Sequence, residues 1–237
     1  MSWSIEIADS VAFVGYANPP ENRLPFAALR DLDHILEQVG RDPAVKIVVL
    51  RSTLDGVFSA GAALPDIKAL TAGEAPSAPF DWWLRALLRI EELPQPTVAF
   101  VDGVAASGGA ELALACTMRI GTARSEFVFR EIARGAIPGA GATQRLPRLV
   151  GTARAGEIIL SARSVGADEA AALGLLQAVL PSDGGEAALR QWLGRFTAMP
   201  RAGLVAAKRA IVDGSRLPLT EGLRLEQGLF RELVTPR

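Results

Sequence analysis

Two glutamates, Glu111 and Glu131, stand twenty residues apart near the middle of the chain. Glu111 closes the stretch Gly103-Val-Ala-Ala-Ser-Gly108-Gly109-Ala-Glu111, which follows the apolar run Thr97–Val101 and precedes Leu112–Cys116. A strand that ends in a glycine-bearing turn and opens into a helix brings free backbone N–H groups and the positive end of a helix dipole to one point. Such a point can hold a developing oxyanion, and a carboxylate beside it can move a proton. Glu131 lies in Phe127-Val-Phe-Arg-Glu-Ile132, ahead of the loop Gly135–Gly141. Two carboxylates reaching one cavity from a helix start and a strand end can share a water and handle its proton.

Each residue also has a plainer reading. With Gly108 as the helix cap, Glu111 falls at the third helical position, where Glu is favoured for backbone capping and for the dipole. Taken alone, that position favours capping. Glu131 taken alone reads as a surface carboxylate paired with Arg130 or Arg134. In Phe58-Ser-Ala-Gly-Ala62, small residues let a ligand approach the backbone, so an amide such as that of Ala60 can face a bound oxygen; a tight loop is the alternative. Gly135–Ala142 lacks the Lys-Ser/Thr pair of a phosphate loop. Ser107 is not in a G-x-S-x-G elbow. Trp82 and Trp83 read as core.

The elements that must position these groups follow from periodicity. Ser4 to Val14 reads as a hairpin around Ala8-Asp9-Ser10. Apolar residues at 26, 29, 32, 35, 36 and 39 predict a helix closed by Gly40. Val45–Leu50 reads as a buried strand, Ser52–Ala63 as a loop, Asp66–Leu70 as a short helix, Gly73–Pro79 as a turn-rich linker and Phe80–Leu93 as a helix. After the strand at 97–101 and the helix at 110–116 come short strands at Arg119–Thr122 and Glu126–Phe129. Helices are expected at 142–150, 152–161 and 167–173, then a strand at Leu176–Leu180, then helices near 185–198, 201–213 and 218–233. Strands alternating with helices indicate crossover-connected parallel strands, hence an α/β fold.

Composition narrows the function. The chain has 237 residues, 25 Lys plus Arg against 26 Asp plus Glu, and a net charge of −1, which gives no electrostatic case for nucleic acid. A single Cys (Cys116) excludes an internal disulfide and reads as a small buried hydrophobe, while the single His (His34) reads as a surface residue. That inventory gives a zinc site or a Cys-His pair no local support. Neither a secretory leader nor an 18-residue apolar span is evident, so a soluble cytoplasmic protein without membrane partners is expected.

Several segments together resemble the crotonase (enoyl-CoA hydratase/isomerase) superfamily. They are Phe58-Ser-Ala-Gly-Ala62 with Asp66-Ile-Lys68, Val101 to Ala113, Phe127 to Glu131, Ile137 to Leu146, Ala206-Ala-Lys208 and Glu221 to Glu226. The resemblance implies a spiral of ββα turns over residues 1–184, followed by a C-terminal helical trimerisation region over 185–237. It implies a homotrimer or dimer of trimers acting on a coenzyme A thioester, with no cofactor or metal beyond the coenzyme A of the substrate. The amides of Ala60 and Gly108 would form the oxyanion hole, and Ala62, Asp66 and Ile67 would contact substrate. Glu111 and Glu131 match the two glutamates of hydratases, implying syn addition of water to a 2-enoyl thioester. Sibling reactions that use one glutamate, isomerisation or C–C hydrolysis, are the alternatives within the family; a non-catalytic scaffold or RNA binder is the alternative outside it. Arg130 replaces the family's common Pro, and either Ala63-Leu-Pro65 intervenes before Asp66 or Ala63 replaces the family's Asp without a gap. The chain ends at Arg237, where family members run on into a further segment that helps cover coenzyme A; the expectation is either a looser coenzyme A site or a carrier-protein-bound acyl group as a second possible partner.

Overall fold

The computed structural model describes residues 2–73 and 80–235. Residues 74–79 of the expected linker lie outside them. The hairpin is present as β1 (Ser2–Ala8) and β2 (Val11–Ala17), antiparallel with Ala8 opposite Val11. β2 then runs parallel to β3 (Ile47–Ser52), β3 to β5 (Thr97–Val101), β5 to β7 (Met118–Thr122), and β7 to β10 (Ala178–Leu180). β5 is buried along its whole length and β3 over Ile47–Leu50, as a sheet covered on both faces requires.

A second sheet, not read from the sequence, joins β4 (Val57–Ser59), β6 (Val104–Ala106), β8 (Glu126–Val128) and β9 (Ser164–Gly166). Each strand has only three residues. β3 and β4, β5 and β6, and β7 and β8 each place one strand in each sheet before the chain enters a helix, which is the expected ββα spiral. The loop expected over 52–63 therefore contains β4, and Gly103 to Glu111 contains β6 before its helix.

α1 (Phe26–Arg41) follows the stripe: Phe26, Leu29, Leu32, Leu36 and Val39 are buried, and His34 is exposed. α2 (Leu64–Thr71) starts two residues earlier than expected, with Ala63 as its cap and Pro65 in its first turn. α3 (Asp81–Glu92) buries Trp83, Ala86, Leu87 and Ile90 against the helix that carries Glu111, α4 (Gly108–Ala115). Cys116 is buried at the end of α4, and its thiol is pushed up to about 12 by that burial. Further on lie α5 (Ala142–Val150), α6 (Thr152–Ser161), α7 (Ala167–Ala172) and α8 (Gly185–Thr197). α8 drives Leu189 and Leu193 into the sheet core beside Phe13, Val49 and Val98.

The last two helices, α9 (Arg201–Gly214) and α10 (Leu219–Val234), pack on each other and expose Ile211, Leu219, Leu223, Phe230 and Leu233. They are anchored to the body at the end of α3. Lys208 of α9 is buried and donates to the carbonyls of Glu91 and Leu93, and Arg216 reaches the Glu91 carboxylate. Among the described residues, no helix is long and apolar enough to cross a membrane.

Candidate active site

The turn into α4 sets the geometry. Ser107, not Gly108, is the cap of this helix, and it holds φ 52° and ψ −124°, the backbone of the first central residue of a type II′ turn. That conformation is normally left to glycine and costs about 1–3 kcal/mol in other residues. Gly108 is then the first helical residue, and its N–H has no acceptor among the described residues. A side chain cannot be added there without cost, because a Cβ on Gly108 would stand 2.5 Å from Cη2 of Trp83.

A second amide comes from the small-residue loop, and here the sequence expectation is corrected. The N–H of Ala60 donates to the carbonyl of Glu21 at 3.0 Å and is spent. Two residues on, the N–H of Ala62 has no acceptor among the described residues. Its neighbours are engaged: Leu24 donates to Gly61 O at 2.8 Å, and Ala63 donates to Leu24 O at 3.1 Å. Gly61, at φ +86°, runs close to α4, since a Cβ there would lie 2.8 Å from the Gly108 nitrogen. The Ala62 and Gly108 amides are therefore neighbours. Arg23 fastens this loop by donating through Nη1 to the carbonyls of Ala60 and Ala62, each at 3.2 Å.

Shifting the cap to Ser107 moves Glu111 to the fourth helical position and ends its reading as a capping residue. Its carboxylate is 98 % buried and turned to a different helix. Oε1 accepts from the N–H of Ala140 at 2.8 Å and of Ala142, the first residue of α5, at 2.9 Å. Oε2 makes no hydrogen bond among the described residues. Burial pushes the Glu111 acid up to about 7, and the nearby Glu131 charge adds to this; the two amides and Arg145 oppose it. Arg145 is a residue that sequence reasoning missed. Its Nη1 donates to Ala140 O at 2.7 Å and its Nε to the Glu91 carboxylate, so it steadies the loop whose amides grip Glu111.

Glu131 leads into a single 3-10 turn, Ile132–Arg134. The expected ion pair with Arg130 or Arg134 is absent among the described residues, and Arg130 is exposed. Instead, Oε2 of Glu131 is buried and has no hydrogen-bond partner among the described residues. A buried acceptor left this way costs about 1–3 kcal/mol.

Glu111, Glu131, Ala62 and Gly108 all line one cavity of about 320 Å³, within the size range of small-ligand sites. Its other walls include Ile67 and Thr71 of α2, Phe80, Trp83, Ser107, Arg23, Arg134 and the loop residues Ala136, Ile137, Gly139 and Ala140. Ile67 is where the sequence reading expects a substrate contact. Ala60 lines the cavity although its amide is engaged. Asp66 is not among the lining residues; its carboxylate accepts from the N–H of Phe26 at 2.8 Å and ties α2 to α1. Trp83 is both core and cavity wall, and its indole N–H is buried without an acceptor.

The profile of the enoyl-CoA hydratase/isomerase family matches residues 6–236. The chain belongs to this family. It is 36 % identical to rat mitochondrial methylglutaconyl-CoA hydratase over 222 residues, 92 % of this chain and 70 % of that protein. It is 33 % identical to a probable enoyl-CoA hydratase of Mycolicibacterium paratuberculosis, over 98 % of this chain and 91 % of the relative. Among solved structures, the enoyl-CoA hydratase of Bacillus anthracis superposes with a TM-score of 0.95 at 30 % identity, covering 100 % of this chain and 92 % of that one. The spiral architecture of this family member is thus shared along its full length. The free amides of Ala62 and Gly108 and the carboxylates of Glu111 and Glu131 line the same cavity.

Proposed function

We propose that the chain is a 2-enoyl-CoA hydratase that adds water across the double bond by two glutamates and a backbone oxyanion hole. The carrying observation is the shared cavity: Glu111, held by two amides, and Glu131, with a buried unpartnered oxygen, face the free N–H groups of Ala62 and Gly108. The relatives' names, hydratases of enoyl and methylglutaconyl thioesters, support the same substrate class. In this reading the thioester oxygen rests between the Ala62 and Gly108 amides. Glu111 takes a proton from the water whose oxygen bonds to the β-carbon. The C=C electron pair moves to the thioester oxygen as an enolate, and Glu131 then protonates the α-carbon. The product is the 3-hydroxyacyl thioester, and the reverse sequence is dehydration. Each donor of such a hole is worth about 3–4 kcal/mol of barrier. The exposed apolar side chains of α9 and α10 support assembly as a trimer, or a dimer of trimers, through the C-terminal helices.

The test is turnover of crotonyl-CoA, followed by loss of enoyl absorbance and product chromatography, in wild type, Glu111→Ala and Glu131→Ala. Both variants should lose about 10²–10⁴-fold in kcat. Unimpaired turnover in either variant would refute the two-glutamate scheme.

A further inference from the structure

Glu111 is tied to the last two helices through three side chains, and the middle one is Glu91 at the end of α3. The Glu91 carboxylate is nearly buried, with 11 % of the side chain exposed, and it lies between two guanidinium groups. Oε1 accepts from Nε of Arg145 at 2.5 Å, and Oε2 accepts from Nη2 of Arg216 in the turn between α9 and α10. The main chain of the same residue holds α9, because Lys208 Nζ donates to the Glu91 carbonyl. Glu91 is thus a point at which the C-terminal helix pair joins the body.

Arg145 carries the connection onward. Its guanidinium is a rigid plane, so fixing Nε on Glu91 fixes the direction of the other nitrogens. Nη1 donates to the carbonyl of Ala140 at 2.7 Å, and the N–H of Ala140 donates to Oε1 of Glu111 at 2.8 Å. The guanidinium also lies directly on this loop. A Cβ on Gly141, between the two residues whose amides hold Glu111, would overlap Arg145 Nη1. Glu91 has no neutral substitute in this chain. A glutamine offers one oxygen and turns an NH2 donor toward the other cation. It also leaves Arg145, only 16 % exposed, as a largely buried cation without a counter-charge, which drives it toward solvent and away from Ala140.

We propose that Glu91 is a positioning residue through which the α9–α10 pair, by way of Arg216 and Arg145, sets the placement of the Ala140 and Ala142 amides and so of Glu111. This rests on the reading of Glu111 as the base. The charged groups that act on Glu111 are Glu131 and Arg145, so Arg145 is the cation this chain delivers. The sign of the effect is diagnostic. Removing the Glu91 charge by itself would make Glu111 easier to ionise, whereas withdrawing Arg145 makes it harder.

The experiment measures hydration of crotonyl-CoA across pH in wild type, Glu91→Gln, Arg216→Met and Arg216→Lys, and repeats the first two substitutions in an Arg145→Leu background. Glu91→Gln and Arg216→Met should each lower kcat about tenfold with KM within about twofold. Both should move the acid limb of kcat/KM to higher pH, with partial restoration in Arg216→Lys. In the Arg145→Leu background neither substitution should move the limb further, because the connection is already cut. A limb that moves to lower pH in Glu91→Gln, or effects that add in full to those of Arg145→Leu, would overturn the proposal. The amide signals of Ala140 and Ala142, followed by NMR through the same pH range in ligand-free protein, give a readout independent of turnover. Both should titrate with Glu111, at higher pH in Glu91→Gln and Arg216→Met than in wild type; signals unchanged by both substitutions would overturn the proposal. Failure of the hydratase reading is seen separately, as absence of turnover of crotonyl-CoA while these signals still respond to Glu91→Gln. Arg216 is half-exposed, so Arg216→Met carries the same test if Glu91→Gln fails to fold.

Discussion

Replacing Gly108 by alanine tests the oxyanion donor while leaving every ionisable side chain in place. The backbone there is helical, so alanine is allowed conformationally, and the perturbation is steric. The added Cβ would stand 2.5, 2.9 and 3.0 Å from Cη2, Cζ3 and Cζ2 of Trp83. Relaxed carbon contacts lie at about 3.5–4.0 Å, so roughly 1 Å of relief must be found between the indole and the first turn of α4. A displacement of that size at a reacting group costs on the order of 10²-fold in rate, and full loss of one donor about 10²–10³-fold. We therefore expect kcat/KM for crotonyl-CoA to fall by about 10²–10³. Stability should change less. Overpacking costs about 1–3 kcal/mol, and the helix gains about 1 kcal/mol on exchanging glycine for alanine. Steady-state hydration and urea unfolding on the same preparation separate the two effects. Adding Trp83→Phe removes the three obstructing carbons and should return at least about tenfold of the lost rate, a non-additivity expected only of groups in contact. A Gly108→Ala enzyme at wild-type rate would refute the placement of the substrate oxygen at this amide.

Three further outcomes follow from the charges. The acid limb of kcat/KM should report Glu111 near pH 7, since the base must be ionised; a profile still flat at about pH 5 would remove Glu111 as the base. Stability should also depend on Glu111. With its folded value raised to about 7, the native state holds a proton that the unfolded chain releases nearer 4.5, so stability falls as pH rises between these values and is flat above them. Glu111→Gln, which keeps an acceptor for Ala140 and Ala142, should flatten that window by up to about 3 kcal/mol in denaturant titrations at pH 4.5 and 8. Arg145→Leu should lower kcat about tenfold with little change in KM and shift the acid limb upward, with partial restoration by Arg145→Lys; an unchanged pH profile would remove Arg145 as a positioning residue.

What the sequence made legible was whatever repeated over enough residues. The stripe of α1 keeps one period over 16 residues, and β1 alternates polar and apolar residues from Ser2 to Ile7. β4, β6 and β9 have three residues each, too few for alternation to register, and they exist because neighbouring turns of the spiral supply their partners. The site divides the same way. Glu111 and Glu131 are visible as residues, but their meeting is a property of the spiral. Which amide of Ala60 and Ala62 is free cannot be read from a run of small residues. It is decided by Glu21 and Leu24, some forty positions away, whose backbone groups take the competing hydrogen bonds. Ser107 shows a related limit. Gly108 is the natural cap by residue type, yet the chain forces the turn onto the serine before it and so rotates Glu111 away from its own helix end.

That same turn at Ser107 carries an evolutionary consequence. A non-glycine residue held at φ 52° is a standing thermodynamic debt, and glycine at this position would relieve it at once. Glycine would also let the peptide ahead of Gly108 swing freely, blurring the aim of one of the two amides proposed to hold the thioester oxygen. Selection for a more heat-resistant protein and selection for a faster one therefore pull this residue in opposite directions. In a directed-evolution experiment, substitutions at position 107 would be recovered from a thermal screen and lost from a turnover screen, marking the turn as the place where this fold trades durability for speed.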